Sequence, residues 1–171
     1  MHESNAALGW VKTAVLGRNP RRTLWRVLIL AGLSYIVFGF VLLPVRIEGI
    51  SMWPAYRDRQ INFANRLAYA WREPQRGDVI CLQLAAGRHV MYLKRIIGLP
   101  GETVEFRGGR AYIDGQPLDE PYVRTECNWD VPPKRLGAAE YYVVGDNRSM
   151  PAMLHEQGVM ARHLLVGKPL L

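Results

Sequence analysis

The chain has 171 residues, of which 49% are apolar. It is therefore long enough to bury a core but too short for two large domains. Its 22 Lys and Arg residues outnumber its 15 Asp and Glu residues, and the formal net charge is +7. Such an excess is compatible with binding to nucleic acid, with an anionic membrane surface or with plain solubility. The positions of the charges decide among these classes.

Basic residues are concentrated near the N-terminus, ahead of a long uncharged run. The run is VLILAGLSYIVFGFVLLPV, residues 27–45. As a helix its 19 residues would span about 28 Å, close to the hydrocarbon thickness of a bilayer. The basic residues ahead of it are Lys12, Arg18, Arg21, Arg22 and Arg26. This pattern predicts a membrane-spanning helix.

Two other interpretations of the uncharged run fit less well. A buried helix of a soluble protein would need cover on every face, which is more than the rest of the chain would supply. A cleaved signal peptide would end in a small-x-small exit site, whereas LLPVRIEG occupies 42–49. We therefore predict a basic cytoplasmic N-terminus (1–22), a retained transmembrane anchor (23–45) and an extracytoplasmic β-rich domain (46–171).

The orientation follows from the flanking charges. Five basic residues precede the run, and three, Arg46, Arg57 and Arg59, lie within about 15 positions after it. The positive-inside bias favours a cytoplasmic N-terminus, hence a single-pass protein of the cytoplasmic (inner) membrane. The inner leaflet of the lipid bilayer also explains the basic N-terminus better than nucleic acid does.

Residues 46–171 alternate short apolar runs with turn signals, which predicts a mainly β domain built as a coiled antiparallel sheet. The stretch 103–118 is typical of a hairpin around Gly108-Gly109 with a second turn at Asp114-Gly115. Residues 61–74 stay unassigned between strand and loop. The other predicted strands are GDVICLQL (77–84), HVMYLKRIIG (89–98), EYYVVGD (140–146) and a C-terminal strand cut short by Pro169.

The two cysteines, Cys81 and Cys127, have no CxxC or histidine spacing of a metal site. They form one disulfide or remain two free thiols, and the sequence leaves both possibilities open.

A candidate nucleophile, Ser51, lies six residues after the uncharged run, in GISMWPA (49–55). A serine hydroxyl needs a base to take its proton. The four histidines offer no recognisable triad motif: His2 is cytoplasmic in the predicted topology, His163 is typical of a surface residue, and His89 and His155 stay possible.

Lys94 is a second candidate base because it lies in a strongly apolar strand. Burial disfavours the ammonium and can lower the pKa of a lysine until a neutral amine is available near neutral pH. Strand alternation puts Lys94 on the face of Tyr92 and Ile96, opposite Leu93 and Arg95. Either Lys94 or Arg95 should then face the core; in the alternative, Lys94 points to solvent and Arg95 pairs with an acid.

Four stretches in the same order resemble the motifs of bacterial type I signal peptidases, which are membrane-anchored serine proteases with a Ser/Lys dyad. GISMWP (49–54) is similar to their Ser-Met-x-Pro box and RGDVI (76–80) to their Arg-Gly-Asp-Val strand. YLKRIIGLPGETV (92–104) resembles the lysine box, and GDNRS (145–149) the Gly-Asp-Asn-Arg turn. The resemblance covers nearly the whole extracytoplasmic part.

The resemblance implies that Ser51 is the nucleophile and Lys94 the general base, in a reaction that removes signal peptides from exported precursor proteins. It also implies a β-fold that binds the substrate as an added strand, with no metal or organic cofactor. The backbone at Gly49 and Ser51 would serve the oxyanion or the substrate. Residues in supporting roles would be Met52, Pro54, Tyr92, Arg95, Asp146, Asn147, Arg148 and Ser149.

Two departures from the family pattern stand out. Gly49 occupies a position where many relatives carry a serine hydroxyl, and Pro151 and Met153 replace the polar residues that help to orient the lysine. The alternatives are a processing enzyme dedicated to one secretion or conjugation system and an inactive relative that binds signal peptides. A soluble Ser/Lys self-cleaving repressor would need a DNA-binding domain in place of the anchor.

Overall fold

The computed structural model describes residues 19–83, 91–154 and 158–170. The chain divides into two compact units, with the boundary between Val41 and Leu42. The first is helical and the second is built from strands.

The helical unit is one continuous apolar helix. Helix α1 spans Pro20–Ile36 and continues as a π-helical turn, Val37–Val41. Pro20 lies in the first turn, where its missing N–H removes no helical hydrogen bond. None of its side chains is buried within the structure, and its 22 residues, Pro20–Val41, are long and apolar enough to cross a bilayer.

The uncharged run, and with it the predicted anchor 23–45, extends beyond the C-terminal end of this helix at Val41. Its last residues belong to strand β1, Leu42–Arg46, which pairs antiparallel with β2, Ile61–Asn65. Pro44 is incompatible with the interior of a helix but is tolerated in an edge strand. The change from helix to strand therefore occurs ahead of Pro44, within the apolar sequence itself.

The strand unit begins with a seven-stranded sheet in the order β1-β2-β11-β3-β4-β9-β10, in which every neighbouring pair is antiparallel. Strand β4 therefore lies deep in the sheet, between β3 and β9. The remaining strands of this sheet are β3 (Val79–Gln83), β4 (Met91–Gly98), β9 (Glu140–Val144), β10 (Gly158–Ala161) and β11 (Leu165–Pro169).

A second, four-stranded antiparallel sheet has the order β7-β6-β5-β8. Its strands are β5 (Thr103–Arg107), β6 (Arg110–Ile113), β7 (Gln116–Pro117) and β8 (Val131–Arg135). The predicted hairpin at Gly108-Gly109 and the turn at Asp114-Gly115 are both present, with positive φ at all four residues. The mainly β fold with one N-terminal apolar helix is thus confirmed.

Three clusters of buried apolar side chains fill the strand unit. One joins β1 to β3 and β4 and includes Met52, Met91 and Leu93. A second lies between the two sheets around Phe106 and Trp129, and the third around Ile80 and Ile96 covers another part of the large sheet. Strand β4 contributes to all three clusters, so both of its faces are covered.

Candidate active site

Ser51 and Lys94 come together although 43 residues separate them in the chain. The Nζ atom of Lys94 lies 3.0 Å from Ser51 Oγ, within hydrogen-bond distance. Lys94 is only 2% exposed, whereas Ser51 is partly exposed. A serine nucleophile must be accessible to its substrate, and its base must lie within hydrogen-bond distance and be shielded from water. Ser51 and Lys94 meet both requirements.

The two basic residues of β4 are both covered. Alternation predicted that either Lys94 or Arg95 faces the core, but the Arg95 side chain is only 13% exposed. The reason is that β4 is an inner strand with apolar clusters on both faces, so neither side of it opens to water. The alternative with Lys94 pointing to solvent is wrong, while its second half is right, because Arg95 does pair with an acid.

Ser51 is carried by the loop between β1 and β2, whose two ends are fastened to each other. Ile47 N–H donates to the carbonyl of Gln60 and Arg59 N–H donates to the carbonyl of Ile47, each at 2.9 Å. Ile47 also forms a parallel bridge to Met91 at the start of β4. The loop is therefore positioned against the strand that carries Lys94.

Within this loop the supporting residues of the serine motif differ in environment. Met52 is 2% exposed and packs in the cluster of β1, β3 and β4, so it lies in the core rather than at the membrane or substrate. Trp53 and Pro54 are exposed and joined by a cis peptide bond. Tyr92 is partly buried against the cluster around Ile80 and Ile96.

Gly49 contributes backbone geometry only. Its φ is +92°, a conformation that favours glycine. Its N–H donates to Asp58 Oδ1 at 2.8 Å, so this donor is engaged within the loop. Because glycine has no side chain, this position supplies no hydroxyl donor.

The turn Gly145–Ser149 holds the backbone of the serine loop. Asn147 N–H donates to the carbonyl of Ser51 at 2.9 Å, and its Nδ2 donates to the carbonyl of Ile50 at 3.1 Å. Ser149 Oγ donates to Asn147 Oδ1 at 2.7 Å and so orients that amide. Asn147 is thus the direct contact between the turn and the candidate nucleophile.

The same turn is tied to β4 by an ion pair. Arg95 donates through Nε and Nη2 to the two carboxylate oxygens of Asp146, at 2.8 and 2.6 Å, and the Asp146 side chain is 0% exposed. Arg95 Nη1 also donates to the carbonyl of Gly77 at 2.7 Å. Lys94 and Ser51 are therefore connected twice, once by their direct hydrogen bond and once through Arg95 and the turn. Bidentate pairs of this kind restrict orientation as well as distance.

Arg148 anchors the turn from its other side. Its guanidinium is 1% exposed and forms a bidentate pair with Glu120, and its Nε donates to the carbonyl of Gly145 at 2.9 Å. Its backbone N–H donates to Thr125 Oγ1 at 2.7 Å. The turn is thereby held between β4 and the segment that connects the strands of the second sheet.

Comparison with known proteins places the chain in a family. The profile described as "Signal peptidase, peptidase S26" matches residues 21–168. Signal peptidase I S of Bacillus subtilis (strain 168) is 34% identical over 133 residues, which are 71% of this chain and 71% of that protein. The chain belongs to the signal peptidase family. A signal peptidase I of Bacillus amyloliquefaciens is 31% identical over 153 residues, covering 82% of this chain and 78% of that protein.

The crystal structure of a signal peptidase I from Enterococcus faecalis V583 is 28% identical in sequence and covers 57% of this chain and 97% of that one, with a TM-score of 0.43. As a member of the signal peptidase family, the chain is a peptidase whose general function is signal peptide cleavage. The apolar helix is consistent with membrane anchoring.

The segment that departs from the family pattern is exposed at the two positions named above. Pro151 is exposed, and Met153 is 90% exposed on a short 3-10 turn, Ala152–Leu154. Ser149, which precedes them, acts on Asn147 instead. In this signal peptidase the turn Gly145–Ser149 contributes polar contacts to the serine loop through Asn147.

The remaining candidate residues have separate outcomes. Both cysteines are free, and burial raises the pKa of the Cys81 thiol to about 12. His163 is exposed, whereas His2, His89 and His155 lie outside the described residues. Among residues 19–83, 91–154 and 158–170, no three His, Cys, Asp or Glu side chains converge as a metal site.

Sequence reasoning missed several residues that hold the site. Asp58 binds the N–H of Gly49, while Glu120 and Thr125 bind Arg148. The sequence signal for Glu120 is indirect, because arginines that become buried need carboxylate partners. Which acids supply them follows only from the fold.

Proposed function

We propose that this chain is a membrane-anchored serine endopeptidase that removes signal peptides from exported precursors, with Ser51 as nucleophile and Lys94 as general base. The observation that carries the proposal is the 3.0 Å approach of Lys94 Nζ to Ser51 Oγ at a lysine that is 2% exposed. Burial stabilises a neutral amine relative to an ammonium, and only the neutral amine can accept a proton.

The proton follows one path through the first half of the reaction. Lys94 takes the proton of Ser51 as the hydroxyl oxygen attacks the carbonyl carbon of the scissile peptide. The resulting ammonium then donates that proton to the leaving amine as the carbon–nitrogen bond breaks. In the second half, Lys94 accepts a proton from the water that attacks the acyl carbon, and the resulting ammonium returns a proton to Ser51 Oγ as the acyl–oxygen bond breaks.

The developing oxyanion needs donors that are already in place. The backbone N–H of Ser51 is the first donor in this proposal, and Asn147 fixes its orientation by holding the carbonyls of Ile50 and Ser51. Gly49 offers no hydroxyl, and its N–H is engaged by Asp58. A second hydrogen-bond donor to the oxyanion would then be a water molecule or another backbone N–H.

The proposed location is the cytoplasmic membrane, with the N-terminus in the cytoplasm and the strand unit outside. The motivation is the apolar helix Pro20–Val41 together with the five-to-three excess of basic residues on the N-terminal side of the uncharged run 27–45. Signal-peptide-bearing precursors emerge at the outer surface of the same bilayer. A nucleophile close in sequence to the anchor suits such a substrate.

The dyad geometry favours an active enzyme over a relative that only binds signal peptides. A binder has no need for a shielded amine within hydrogen-bond distance of a serine, and burying a lysine without a use for it is unfavourable. Pro151 and Met153, which motivate the inactive alternative, are both exposed.

The test uses the full-length chain in detergent micelles with a precursor that carries a signal sequence. Ser51→Ala and Lys94→Ala should each abolish cleavage without changing the unfolding midpoint by a large amount. Lys94→Arg should be equally inactive because a guanidinium does not release its proton near neutral pH. Lys134→Ala, an exposed lysine on β8, is the matched control and should cleave normally.

Cleavage is followed by gel mobility and by the mass of the new N-terminus. Full activity of Ser51→Ala or Lys94→Arg would refute the dyad. Inactivity of the unmodified chain toward several precursors, with retained binding, would instead support the non-cleaving relative.

A further inference from the structure

Residues 120–125, EPYVRT, lie in the connection between β7 and β8 and contact the turn that holds the serine loop. This segment will be called the brace segment. None of its residues belongs to the four family motifs quoted above. Its side chains nevertheless contact the two arginines that fasten the turn.

The first contact of the brace segment is with Arg95. The guanidinium carbon of Arg95 lies 4.0 Å from the centre of the Tyr122 ring. A guanidinium stacked on an aromatic face is attracted by the ring and loses rotational freedom. Arg95 is thus restricted on one side by Asp146 and on another by Tyr122.

The second contact is with Arg148. Glu120 accepts hydrogen bonds from both terminal nitrogens of this guanidinium, and the Glu120 side chain is 9% exposed. The Tyr122 hydroxyl donates to Glu120 Oε1 at 3.0 Å, so the two brace residues orient each other. Burial raises the pKa of the Tyr122 phenol, which keeps it a neutral donor.

The third contact is with the backbone of the turn. Thr125 Oγ1 accepts the N–H of Arg148 at 2.7 Å and donates to the carbonyl of Asp146 at 3.5 Å. These two residues flank Asn147, which binds the carbonyl of Ser51. Glu120 and Thr125 therefore contact the two neighbours of Asn147, the residue that binds the backbone of the serine loop.

We propose that the brace segment is a positioning element of the active site, in which the Tyr122 ring and the Glu120 carboxylate hold Arg95 and Arg148 so that Asn147 keeps Ser51 aligned with Lys94. This inference rests on the proposed Ser51/Lys94 mechanism. Tyr122 and Glu120 are positioning residues, because they act through the arginines and the turn. Their loss should lower kcat and leave KM for the precursor largely unchanged.

The test compares two tyrosines that make the same kind of contact. Tyr122→Leu removes the ring beneath Arg95. Tyr112→Leu removes a ring 3.8 Å from the guanidinium of Arg107, on the second sheet, where the arginine side chain is 55% exposed. Both variants lose one arginine–aromatic contact, so Tyr112→Leu is the control for the general effect of replacing a stacked tyrosine by leucine. Tyr122→Phe keeps the ring and loses only the hydroxyl.

We expect Tyr122→Leu to reduce kcat by about tenfold, the size of a shielded cation–π contact, with KM within about twofold. Tyr112→Leu should keep kcat, and Tyr122→Phe should restore most of the lost kcat. Thermal unfolding of all three variants in the same detergent measures their stabilities, so that kcat is compared well below each midpoint.

Two results would overturn the proposal: an unchanged kcat in Tyr122→Leu, or losses in Tyr122→Phe or Tyr112→Leu as large as in Tyr122→Leu. These failures differ from a failure of the proposed mechanism. If Ser51→Ala or Lys94→Arg cleaves normally, the dyad itself is wrong; if both are inactive and Tyr122→Leu is unaffected, only the brace is wrong.

Discussion

Asp78 offers the clearest pH-dependent test of how the site is supported. Its carboxylate is 8% exposed and accepts hydrogen bonds from Arg72, from Lys168 and from the N–H of Gln75. The carbonyl of Gly77, the preceding residue, accepts a hydrogen bond from the Arg95 guanidinium. Replacing Asp78 with asparagine removes the charge while keeping the size of the side chain.

The magnitude follows from the pKa of this carboxyl group. Burial acts to raise the pKa, but the hydrogen bonds from Arg72, Lys168 and Gln75 outweigh it and lower the pKa from 3.8 to about 2. A shift of this size corresponds to about 2 kcal/mol of stability. Because the folded-state pKa is depressed, that stability is present above the unfolded pKa and is lost as the pH falls from about 4 to about 2.

The assay is urea unfolding of the full-length chain in micelles, followed by tryptophan fluorescence between pH 2 and pH 7. Asp78→Asn should be less stable than the unmodified chain by about 2 kcal/mol at pH 7, and the difference should vanish near pH 2. Asp119→Asn, a change of the same charge at an exposed carboxylate, is the control and should follow the unmodified chain closely. Other carboxylates titrate in all three proteins, so the difference isolates Asp78.

A constant difference between the unmodified chain and Asp78→Asn across the whole pH range would refute the linkage. Such a result would mean that the asparagine disturbs packing instead of removing a charge-assisted contact. Equal pH profiles for Asp78→Asn and Asp119→Asn would refute it as well.

Two further predictions concern the turn and the serine loop. Asp146→Asn should destabilise the protein by about 3 kcal/mol and abolish cleavage, because it leaves the shielded Arg95 guanidinium without its anion; an unchanged thermal midpoint would contradict this. Gly49→Ala should cost about 1 kcal/mol through its φ of +92° alone, since a Cβ there meets nothing within 4 Å. Gly101→Ala, at φ +83° and equally open, should cost the same in urea unfolding. A much larger loss at Gly49 would indicate a contact that the geometry does not contain.

Much of the fold follows from local patterns in the sequence. The hairpin at Gly108-Gly109 and the strand that carries Lys94 were predicted because glycine-rich turns and β-branched runs act locally. Strand β8 was missed because VPPKR contains two prolines. It is an edge strand of its sheet, where proline is tolerated. Strand β1 was missed because it continues an apolar run without a change in composition.

The main residues of the site were predicted, but the contacts that hold them were not. Ser51 and Lys94 could be named from their motifs, and the structure brings them within 3.0 Å. Alternation failed to predict that both Lys94 and Arg95 are covered, because it considers one face of an isolated strand. The partners Glu120 and Tyr122 could not be found, since long-range ion pairs depend on which loops the topology brings together.

The hydrogen bond from Asn147 to the carbonyl of Ile50 spans 97 residues, and this separation affects how the enzyme is made. Contacts between distant residues form late in folding because they require long chain segments to close. The turn that contains Asn147 follows β9, near the end of the chain. During folding, the serine loop and the lysine strand should therefore form before the contact that aligns them. Peptidase activity should therefore appear only after this turn has formed, which refolding from urea followed by precursor cleavage would measure.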